Sequence, residues 1–397
     1  MCLPVAVFAV LRVPTDVARW VATWLVVAIG APIVGQQSDA AAARGGDNSF
    51  EFDVYAFSQG DSGGSSGQPF RAEGFDYYSL RGALRVRLDE ERVLNLTAQP
   101  AYIESETIDL PPTILGGSTI SATGDLATLD ALASLDYTPL GSEWTFSPGL
   151  FYHHQIDYTG AGLDLGLTRQ LNQGATTLGL NYSLRHDFLE LSFWDGSFRG
   201  SDVRVSNNLM VSWSQLLSPS WKGNISLQYS RQDGFLEDQH NYVALFDLGG
   251  VPQLLTDEVL PNRRNRVQLN LRSRYSPGVG HALGVDASYY QDDWSIRHFA
   301  LEPSAELSLG GGFRMRAWWR YSNQDGTRFL REQPQVAVRL QTQDSDLGDF
   351  TMHSPGVTLY FPLGDKGGRT GSFSIYGFDR SDGIDGIGGK LQFVHTW

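Results

Sequence analysis

The sequence predicts an all-β protein, specifically a transmembrane antiparallel up-and-down β-barrel of about 16 strands. Short stretches of alternating apolar and polar residues recur along the chain, the segments between them are alternately short and long, and the last stretch ends on Trp397. Alternation with a period of two gives a strand one apolar face and one polar face. Tilted strands of roughly 9–11 residues with two such faces can cross a membrane as a barrel.

Composition excludes two other classes of protein. Charged residues make up 19% of the 397 residues and hydrophobic residues only 41%. A helical membrane protein would be more hydrophobic, because each span needs roughly 20 apolar residues in a row. The net charge of -14 argues against a nucleic-acid partner, which would require a basic face. On charge alone, a soluble acidic secreted enzyme would look the same.

The N-terminus predicts a secretory signal peptide over residues 1–35. Arg12 and Arg19 precede an apolar run that ends before a Gly-Gln-Gln-Ser segment, which is the order of a basic region, a hydrophobic region and a cleavage site. An uncleaved anchor helix is the alternative. A short linker, 36–47, and a barrel domain, 48–397, follow. Cys2 is the only cysteine, so the processed chain would have no disulfide and no thiolate site.

Alternating segments predict the strands, with a count that is good to two either way. In Phe313, Met315, Ala317, Trp319 and Tyr321, for example, the apolar residues fall on every second position. The predicted spans are 48–57, 76–88, 92–103, 127–138, 142–154, 157–170, 174–185, 202–215, 220–231, 264–276, 281–292, 295–309, 312–323, 351–363, 370–379 and 387–397.

The connections between these spans differ on the two sides of the predicted barrel. One side has tight turns such as Ser218-Pro219 and Gly310-Gly311, and the other has long segments such as 104–126, 232–263 and 324–350. Short periplasmic turns and long outer loops are typical of outer-membrane barrels. The segment 324–350 is long enough to constrict the bore.

Aromatic residues on the apolar face fall at both ends of the predicted strands. Two such belts around an aliphatic band are typical of lipid interfaces, whereas a soluble β-sandwich would bury its aromatics in mid-strand. At the short-turn ends they are Trp144, Trp213, Trp221, Tyr275, Phe313, Phe373 and Trp397, and at the long-loop ends Tyr102, Tyr152, Tyr182, Tyr229, Tyr289 and Tyr321.

The last nine residues form an alternating strand with Leu391, Phe393, His395 and Trp397 on one face. A strand at a free end leaves a sticky edge unless it pairs with another strand, and pairing with the first strand would close a barrel. The segment resembles the C-terminal aromatic strand that serves as an assembly signal in bacterial outer-membrane barrels, although His395 departs from the usual residue there. We therefore assign Phe393 and Trp397 to an assembly signal. An edge strand of a soluble sheet is the alternative.

Charged residues form columns on the predicted inner face. Cross-strand neighbours lie about 5 Å apart, so basic and acidic columns on adjacent strands can pair. Three interpretations remain open: a salt-bridged wall that fixes strand register, a positive wall that favours anionic solutes, and a docking surface for an inserted partner. The predicted lumen wall comprises Arg266, Arg272, Arg274, Asp286, Glu302, Glu306, Arg314, Arg316 and Arg320, and a second basic column comprises Arg81, Arg85 and Arg87.

No catalytic, cofactor or metal site is predicted. Asp292 and Asp293 with His298 could resemble the acid and His groups of barrel proteases, but a tight polar hairpin explains them better. The carboxylates of 232–263 could bind Ca²⁺ that bridges lipopolysaccharide phosphates, although a solvated acidic loop is the simpler interpretation. These carboxylates are Asp233, Glu237, Asp238, Asp247, Asp257 and Glu258.

The second half of the chain contains four motif-like segments: Asp233-Gly234-Phe235-Leu236, Leu260-Pro261-Asn262-Arg263-Arg264-Asn265, the run from Tyr289 to His298, and Arg320-Tyr321-Ser322. In these segments the chain resembles the domain-of-unknown-function 3570 family. Members of the family are predicted bacterial outer-membrane proteins. The resemblance implies that location and co-occurrence with periplasmic flavin or redox proteins, but no substrate and no catalytic residues.

Together these features predict a bacterial outer-membrane barrel that acts as a porin-like channel for small, anionic solutes, and not an enzyme. The alternative is a non-conducting barrel that docks a periplasmic or electron-transfer partner. The expected partners are membrane lipid, lipopolysaccharide and the barrel-assembly machinery, with a periplasmic protein added in the alternative.

Overall fold

Sixteen antiparallel strands form one closed barrel in the computed structural model, which describes residues 48–61, 74–105, 126–238, 240–364 and 368–397. The predicted signal peptide and linker lie outside the described residues. The barrel strands are β1 (Ser49–Asp61), β2 (Phe75–Arg87), β3 (Arg92–Ser105), β4 (Leu126–Tyr137), β5 (Trp144–Gln155), β6 (Tyr158–Leu171), β7 (Thr176–Ser192), β8 (Phe198–Ser218), β9 (Trp221–Gly234), β12 (Arg263–Gly278), β13 (His281–Asp292), β14 (Arg297–Gly310), β15 (Phe313–Asp325), β16 (Phe350–Pro362), β17 (Arg369–Arg380) and β18 (Ile384–Thr396). In the described part of the chain, no helix is both long and apolar enough to cross a membrane.

The predicted fold class is confirmed, and each of the sixteen predicted spans corresponds to one barrel strand. The largest difference is at β7 and β8, which continue their pairing through most of the segment predicted as a loop, to Glu190 opposite Ser201 and, after a register shift, to Ser192 opposite Phe198. The tip of this hairpin carries Leu191, Phe193 and Trp194, which pack in a hydrophobic cluster with residues of the next long connection. A tertiary contact therefore extends the hairpin beyond its locally alternating part.

A second hairpin, β10 (Tyr242–Phe246) and β11 (Pro252–Asp257), was not predicted and lies within the β9–β12 connection. Asp247 organises its turn by accepting hydrogen bonds from the backbone N–H groups of Gly249 and Val251, each at 2.9 Å. Tyr242 and Val243 are both fully buried. Because both faces of β10 are covered, the segment lacks the apolar–polar alternation that marks the barrel strands.

The first and last strands close the barrel. β1 pairs with β18 along its whole length, from Ser49 opposite Thr396 to Asp61 opposite Ile384. Asn48 and Trp397 exchange two backbone hydrogen bonds of 3.0 Å at the end of this seam. Every strand of the barrel therefore has two hydrogen-bonded neighbours, which is the arrangement that allows a β-structure to span a bilayer.

Side chains alternate between an apolar outer face and a polar interior. On β12, Val267, Leu269 and Leu271 are exposed on the outside, whereas Gln268 and Asn270 on the inner face are half-buried. The outer aromatics Trp144, Trp213, Trp221, Tyr275, Phe313 and Trp397 at one end, and Tyr152, Tyr229 and Tyr289 at the other, are likewise exposed. The outer surface is thus an aliphatic band between two aromatic belts, the architecture of an outer-membrane β-barrel.

Leu269→Arg tests the assignment of the outer face. A cationic side chain facing hydrocarbon near the middle of a strand costs about 2–4 kcal/mol, so we expect the free energy of unfolding in lipid vesicles to fall by about that amount. Asn270→Arg places the same side chain on the wet inner face and is the matched control, for which a much smaller loss is expected. Equal losses would contradict the assignment.

Candidate functional site: the barrel interior

Strand register brings the predicted charged columns of the lumen wall together. Arg272 on β12 lies opposite Asp286 on β13, and Asp286 lies opposite Glu302 on β14. Glu306 on β14 lies opposite Arg316 on β15. Register fixes which charges can meet, because directly opposite side chains on one face of a sheet are close neighbours.

These columns are linked by ion pairs across neighbouring strands, as the structural interpretation of the wall requires. Asp286 accepts from both Arg272 and Arg274, and Glu302 lies near both Arg316 and Arg320. The nitrogen–oxygen distances are 3.0 Å for Arg272–Asp286, 2.5 Å for Arg274–Asp286, 3.0 Å for Arg316–Glu302, 3.8 Å for Arg320–Glu302 and 2.7 Å for Arg314–Glu306.

Cationic groups outnumber carboxylates on this part of the wall. The inner faces of β9, β12, β13, β14 and β15 carry eight cationic side chains and four carboxylates. The cationic side chains are Lys222, Arg264, Arg266, Arg272, Arg274, Arg314, Arg316 and Arg320. The carboxylates are Asp286, Asp292, Glu302 and Glu306. Pairing therefore leaves a net positive charge on five adjacent strands, although the chain as a whole is acidic.

Arg266 contributes directly to this excess. Its guanidinium donates a hydrogen bond to the side-chain oxygen of Gln232 on β9. Its Nε is buried and has no hydrogen-bond partner among the described residues, and within the same residues it makes no ion pair. Arg264, the neighbouring arginine on this face, is instead paired with Asp292 at 2.6 Å.

The predicted second basic column lies at the closing seam. Arg81 on β2 pairs with Glu51 at 2.7 Å and with Asp53 at 3.1 Å. Lys390 on β18 reaches the same Asp53 at 3.1 Å. Arg85 lies 3.7 Å from a carboxylate oxygen of Asp136 on β4. Unlike the β9–β15 region, cations and carboxylates here are closely matched, and they link the strands on both sides of the seam.

The proposed assembly residues lie on the outer face of the seam. Phe393 packs edge-on against Phe50 of β1, with ring centroids 6.2 Å apart. Trp397 is stacked with His395 at 5.3 Å and is 47% exposed. Both aromatic side chains therefore belong to the membrane-facing surface of the last strand.

A row of aromatic side chains on the inner wall was missed by the sequence analysis. It follows the cross-strand partners Trp318 (β15), Gly356 (β16), Tyr376 (β17), Gly388 (β18), Phe57 (β1) and Tyr77 (β2), each paired with the next. Alternation alone places Phe57 on the face of Glu51, and Tyr376 on the face of Ser372. The signal was therefore present in each strand, but only the register shows that the rings are neighbours.

Glycines on neighbouring strands have no side chain where several of these rings lie, so the rings can approach the backbone closely. A Cβ atom on Gly356 would overlap the indole of Trp318, and one on Gly388 or Gly386 would overlap the rings of Tyr376 and Phe378. The rings therefore lie flat on the backbone of β16 and β18, where they cover interior glycines.

Two long connections, β9–β12 and β15–β16, pack together at the outer mouth, and we call them the outer cap. Val259 and Gln341 exchange backbone hydrogen bonds of 3.0 and 2.8 Å between the two connections. Gln343 is fully buried, accepts a hydrogen bond of 2.7 Å from the N–H of Ala244 and donates one of 3.3 Å to its carbonyl. Trp294 from the β13–β14 turn packs under the cap against Phe329.

The β15–β16 connection is fixed above inward-facing side chains of the barrel. Arg380 on β17 pairs with Asp346 at 2.6 Å and donates to the carbonyl of Ser345. Gln324 on β15 donates to the carbonyls of Asp346 and Gly348. Below this segment lies a cavity of about 330 Å³, lined by Arg264, Gln268, Ser288, Tyr290, Ile296, His298, Arg320, Gln324, Asp346 and Leu347.

A buried carboxyl joins the two parts of the outer cap. Glu258 is only 2% exposed, accepts a hydrogen bond of 2.9 Å from the N–H of Asp238 and accepts another from the hydroxyl of Thr342. Burial, reinforced by the nearby charge of Asp344, raises the pKa of Glu258 to about 8. Burial also raises the pKa of Glu237, which caps the N–H of Leu260.

The acid–histidine group considered for hydrolysis is built into a hairpin. Asp292 accepts from the backbone N–H groups of Trp294 and Ile296, at 3.0 and 2.9 Å. Asp293 accepts from the backbone and side-chain N–H groups of Asn265. His298 lies opposite Tyr290 on the inner face of β14. The two carboxylates thus organise the turn between β13 and β14.

The acidic side chains considered for Ca²⁺ are engaged separately. Asp233 pairs with Arg231 and Arg263, Asp257 pairs with Arg199, and Asp247 holds the β10–β11 turn. Among the described residues, no group of three or more His, Cys, Asp or Glu side chains could hold a metal ion.

Residues 133–395 match the model of the family described as Protein of unknown function (DUF3570), which covers more than half of the chain. The chain belongs to this family, as the resemblance predicted. No curated protein matches the sequence.

Solved barrels are similar in outline only. A bacterial polysaccharide outer membrane secretin is 10% identical with a TM-score of 0.47, and the match covers 88% of this chain and 98% of that one. Pseudomonas aeruginosa OccK1 (OpdK) is 11% identical with a TM-score of 0.40, and OccK2 (OpdF) in complex with glucuronate is 12% identical with a TM-score of 0.43. Both matches cover 88% of this chain and 98% of the other chain. At these values the likeness does not extend to function.

The outer cap should loosen as the pH rises. The pKa of Glu258 is higher in the folded protein than its ordinary value of 4.5, so its contribution to stability is complete below pH 4.5 and is lost as the pH rises through about 8. Since one pKa unit corresponds to a tenfold change in an equilibrium constant, we expect hydrogen-exchange protection of Gln341 and Thr342 to fall by at least about tenfold between pH 5 and pH 9.

Glu258→Gln is the control, because the amide keeps the size and hydrogen-bonding capacity of the carboxyl without its charge. In this variant, the hydrogen-exchange protection of Gln341 and Thr342 should fall much less over the same pH range, and the fall that remains should be due to Glu237. An equal fall in the variant and the unaltered protein would show that Glu258 does not govern the cap.

Proposed function

We propose that this protein is a porin-like channel of the bacterial outer membrane that passes small solutes and favours anions. A 16-strand barrel is wide enough for an aqueous channel, and the outer face has the belts expected of a membrane surface. The observation that carries the preference for anions is the twofold excess of cationic groups over carboxylates on the inner faces of β9 and β12–β15.

Ion pairing does not remove this preference. Pairs between partly exposed groups contribute little to stability, typically about 0–1 kcal/mol each, and they cannot neutralise a wall with too few carboxylates. Arginines along a pore that are left without a carboxylate project a positive potential across the water and raise the local concentration of anions. Arg266 and the loosely held Arg320 are the groups that do this most directly.

Conductance of the refolded protein in planar bilayers tests the proposal. In a salt gradient, the reversal potential should show that anions permeate better than cations. Arg272→Glu with Arg316→Glu should reverse or flatten this preference, because it changes the sign of two wall positions.

Arg92→Glu with Arg169→Glu is the matched control. It makes the same change in charge on the outer face at the short-turn rim, where Arg169 lies over the ring of Trp144 and Arg92 pairs with Asp89. This variant should keep the selectivity of the unaltered protein. An unchanged preference in the wall variant, together with a loss of heat stability, would assign the wall to register alone. A closed barrel that retains a periplasmic protein in pull-downs would favour the docking alternative.

We also propose that the barrel-assembly machinery recognises Phe393 and Trp397. Phe393→Ala with Trp397→Ala should reduce the heat-modifiable, folded form in cell envelopes several-fold, while refolding of the purified variant into detergent remains efficient. Thr396→Ala, on the opposite face of β18, is the control and should assemble normally. Equal loss in cells and in refolding would indicate a role in stability alone.

A further inference from the structure

We propose that the barrel interior binds aromatic carboxylates, with the carboxylate on Arg320 and the ring on the aromatic row that begins at Trp318. The inference deepens the proposed channel function, on which it rests, by naming a class of solute. It depends on the juxtaposition of an aromatic wall and a cationic wall, which meet at β15.

The aromatic wall is continuous across several strands. Trp318 and Tyr376 have ring centroids 5.9 Å apart, and Tyr376 and Phe57 lie 6.5 Å apart. Phe57 also stacks on Phe378 at 5.8 Å, with an angle of only 6° between the planes. The hydroxyl groups of Tyr55 and Tyr376 are hydrogen bonded to each other across β18. This mutual contact fixes the rings as a preorganised surface, which reduces the entropy lost on binding.

The rings remain accessible from the lumen. Each is partly exposed, and Trp318, Tyr376 and Phe378 lie flat against the wall over Gly356, Gly388 and Gly386 instead of projecting into the bore. A solute with a planar ring can therefore stack in an offset geometry on the wall, an arrangement that aromatic groups favour. A small hydrophilic ion without a ring gains nothing from this surface.

Arginines flank Trp318 on the same inner face. Arg316 and Arg320 are each two residues away, which is roughly 7 Å along a strand. Arg316 lies 3.0 Å from Glu302 and 3.9 Å from Asp286, whereas Arg320, among the described residues, is held only by Glu302 at 3.8 Å. Its guanidinium therefore keeps donors free for a bidentate contact with a solute carboxylate.

The cavity under the outer cap provides an entrance to this position. Arg320 lines it together with His298, Tyr290 and Gln324, and its volume is about 330 Å³. Ligand pockets in proteins begin at about this size. A carboxylate held at Arg320 would leave the attached ring next to Trp318, at the beginning of the aromatic row. The group that would bind the carboxylate, Arg320, and the group that would bind the ring, Trp318, therefore lie at about the same height in the barrel.

Binding of benzoate to the full, refolded chain in detergent tests the inference by calorimetric titration. Acetate supplies the carboxylate without a ring, benzyl alcohol supplies the ring without a charge, and glucuronate supplies a carboxylate on a sugar ring. Benzoate should bind at least about tenfold more tightly than each of the three. If acetate binds as tightly as benzoate, ring recognition is refuted. If glucuronate does so, the aromatic class is refuted in favour of sugar acids.

Two adjacent tryptophans provide a matched pair of variants. Trp318→Leu should weaken benzoate binding about tenfold and leave acetate binding unchanged, whereas Trp319→Leu, on the lipid-facing side, should change neither. Arg320→Gln should weaken benzoate and leave benzyl alcohol unchanged. Tyr376→Leu provides a second test of the row if Trp318→Leu does not refold. Equal effects of Trp318→Leu and Trp319→Leu would overturn the inference.

The assay separates this inference from the proposed function, because it requires no membrane and no current. Anion-selective conductance without preferential benzoate binding refutes only the aromatic site. Benzoate binding by a barrel that does not conduct refutes the channel and leaves the site in place.

Discussion

Hydrogen bonding between β1 and β18 is the constraint on which the rest of the structure depends. A backbone N–H or C=O group without a partner in hydrocarbon costs several kcal/mol, so a sheet with open edges cannot remain in a bilayer. The seam satisfies these groups along both strands. On its inner side, Arg81 and Lys390 share the carboxylate of Asp53, so side chains link the same strands that the backbone joins.

Closure also determines what the interior can be. A barrel that turns its apolar side chains outward to lipid must turn its polar side chains inward, and charges then line a wall where water can reach them. The wall of this protein has two chemically different regions. β9 and β12–β15 carry excess cationic charge. The strands from β15 through β18 to β2 carry aromatic rings, of which Trp318, Tyr376 and Phe378 lie against glycines. The interior therefore has a cationic region beside an aromatic region, a division that the stability of the barrel does not require.

The outer cap is held by buried polar contacts as well as by apolar packing. Gln341, Thr342 and Gln343 are almost fully buried, and their side chains hydrogen bond to the other connection or within their own. Glu258 is the titratable member of this network. Because buried polar groups are costly when they lose their partners, the cap combines a well-defined packed form with sensitivity to the ionisation of one carboxyl.

The sequence by itself determined the sixteen strands, the two aromatic belts and the charged columns of the inner wall, because alternation within a strand is a local property that assigns each side chain to a face. It did not reveal the β10–β11 hairpin, because β10 is covered on both faces and therefore lacks apolar–polar alternation. It also did not reveal the row from Trp318 to Tyr77, nor that Arg266 lacks a carboxylate partner within the described part of the chain while Asp286 has several cationic ones. Those features depend on how far each strand is shifted relative to its neighbours, and a shift of one residue would exchange the two faces. Only the closed tertiary structure fixes that register.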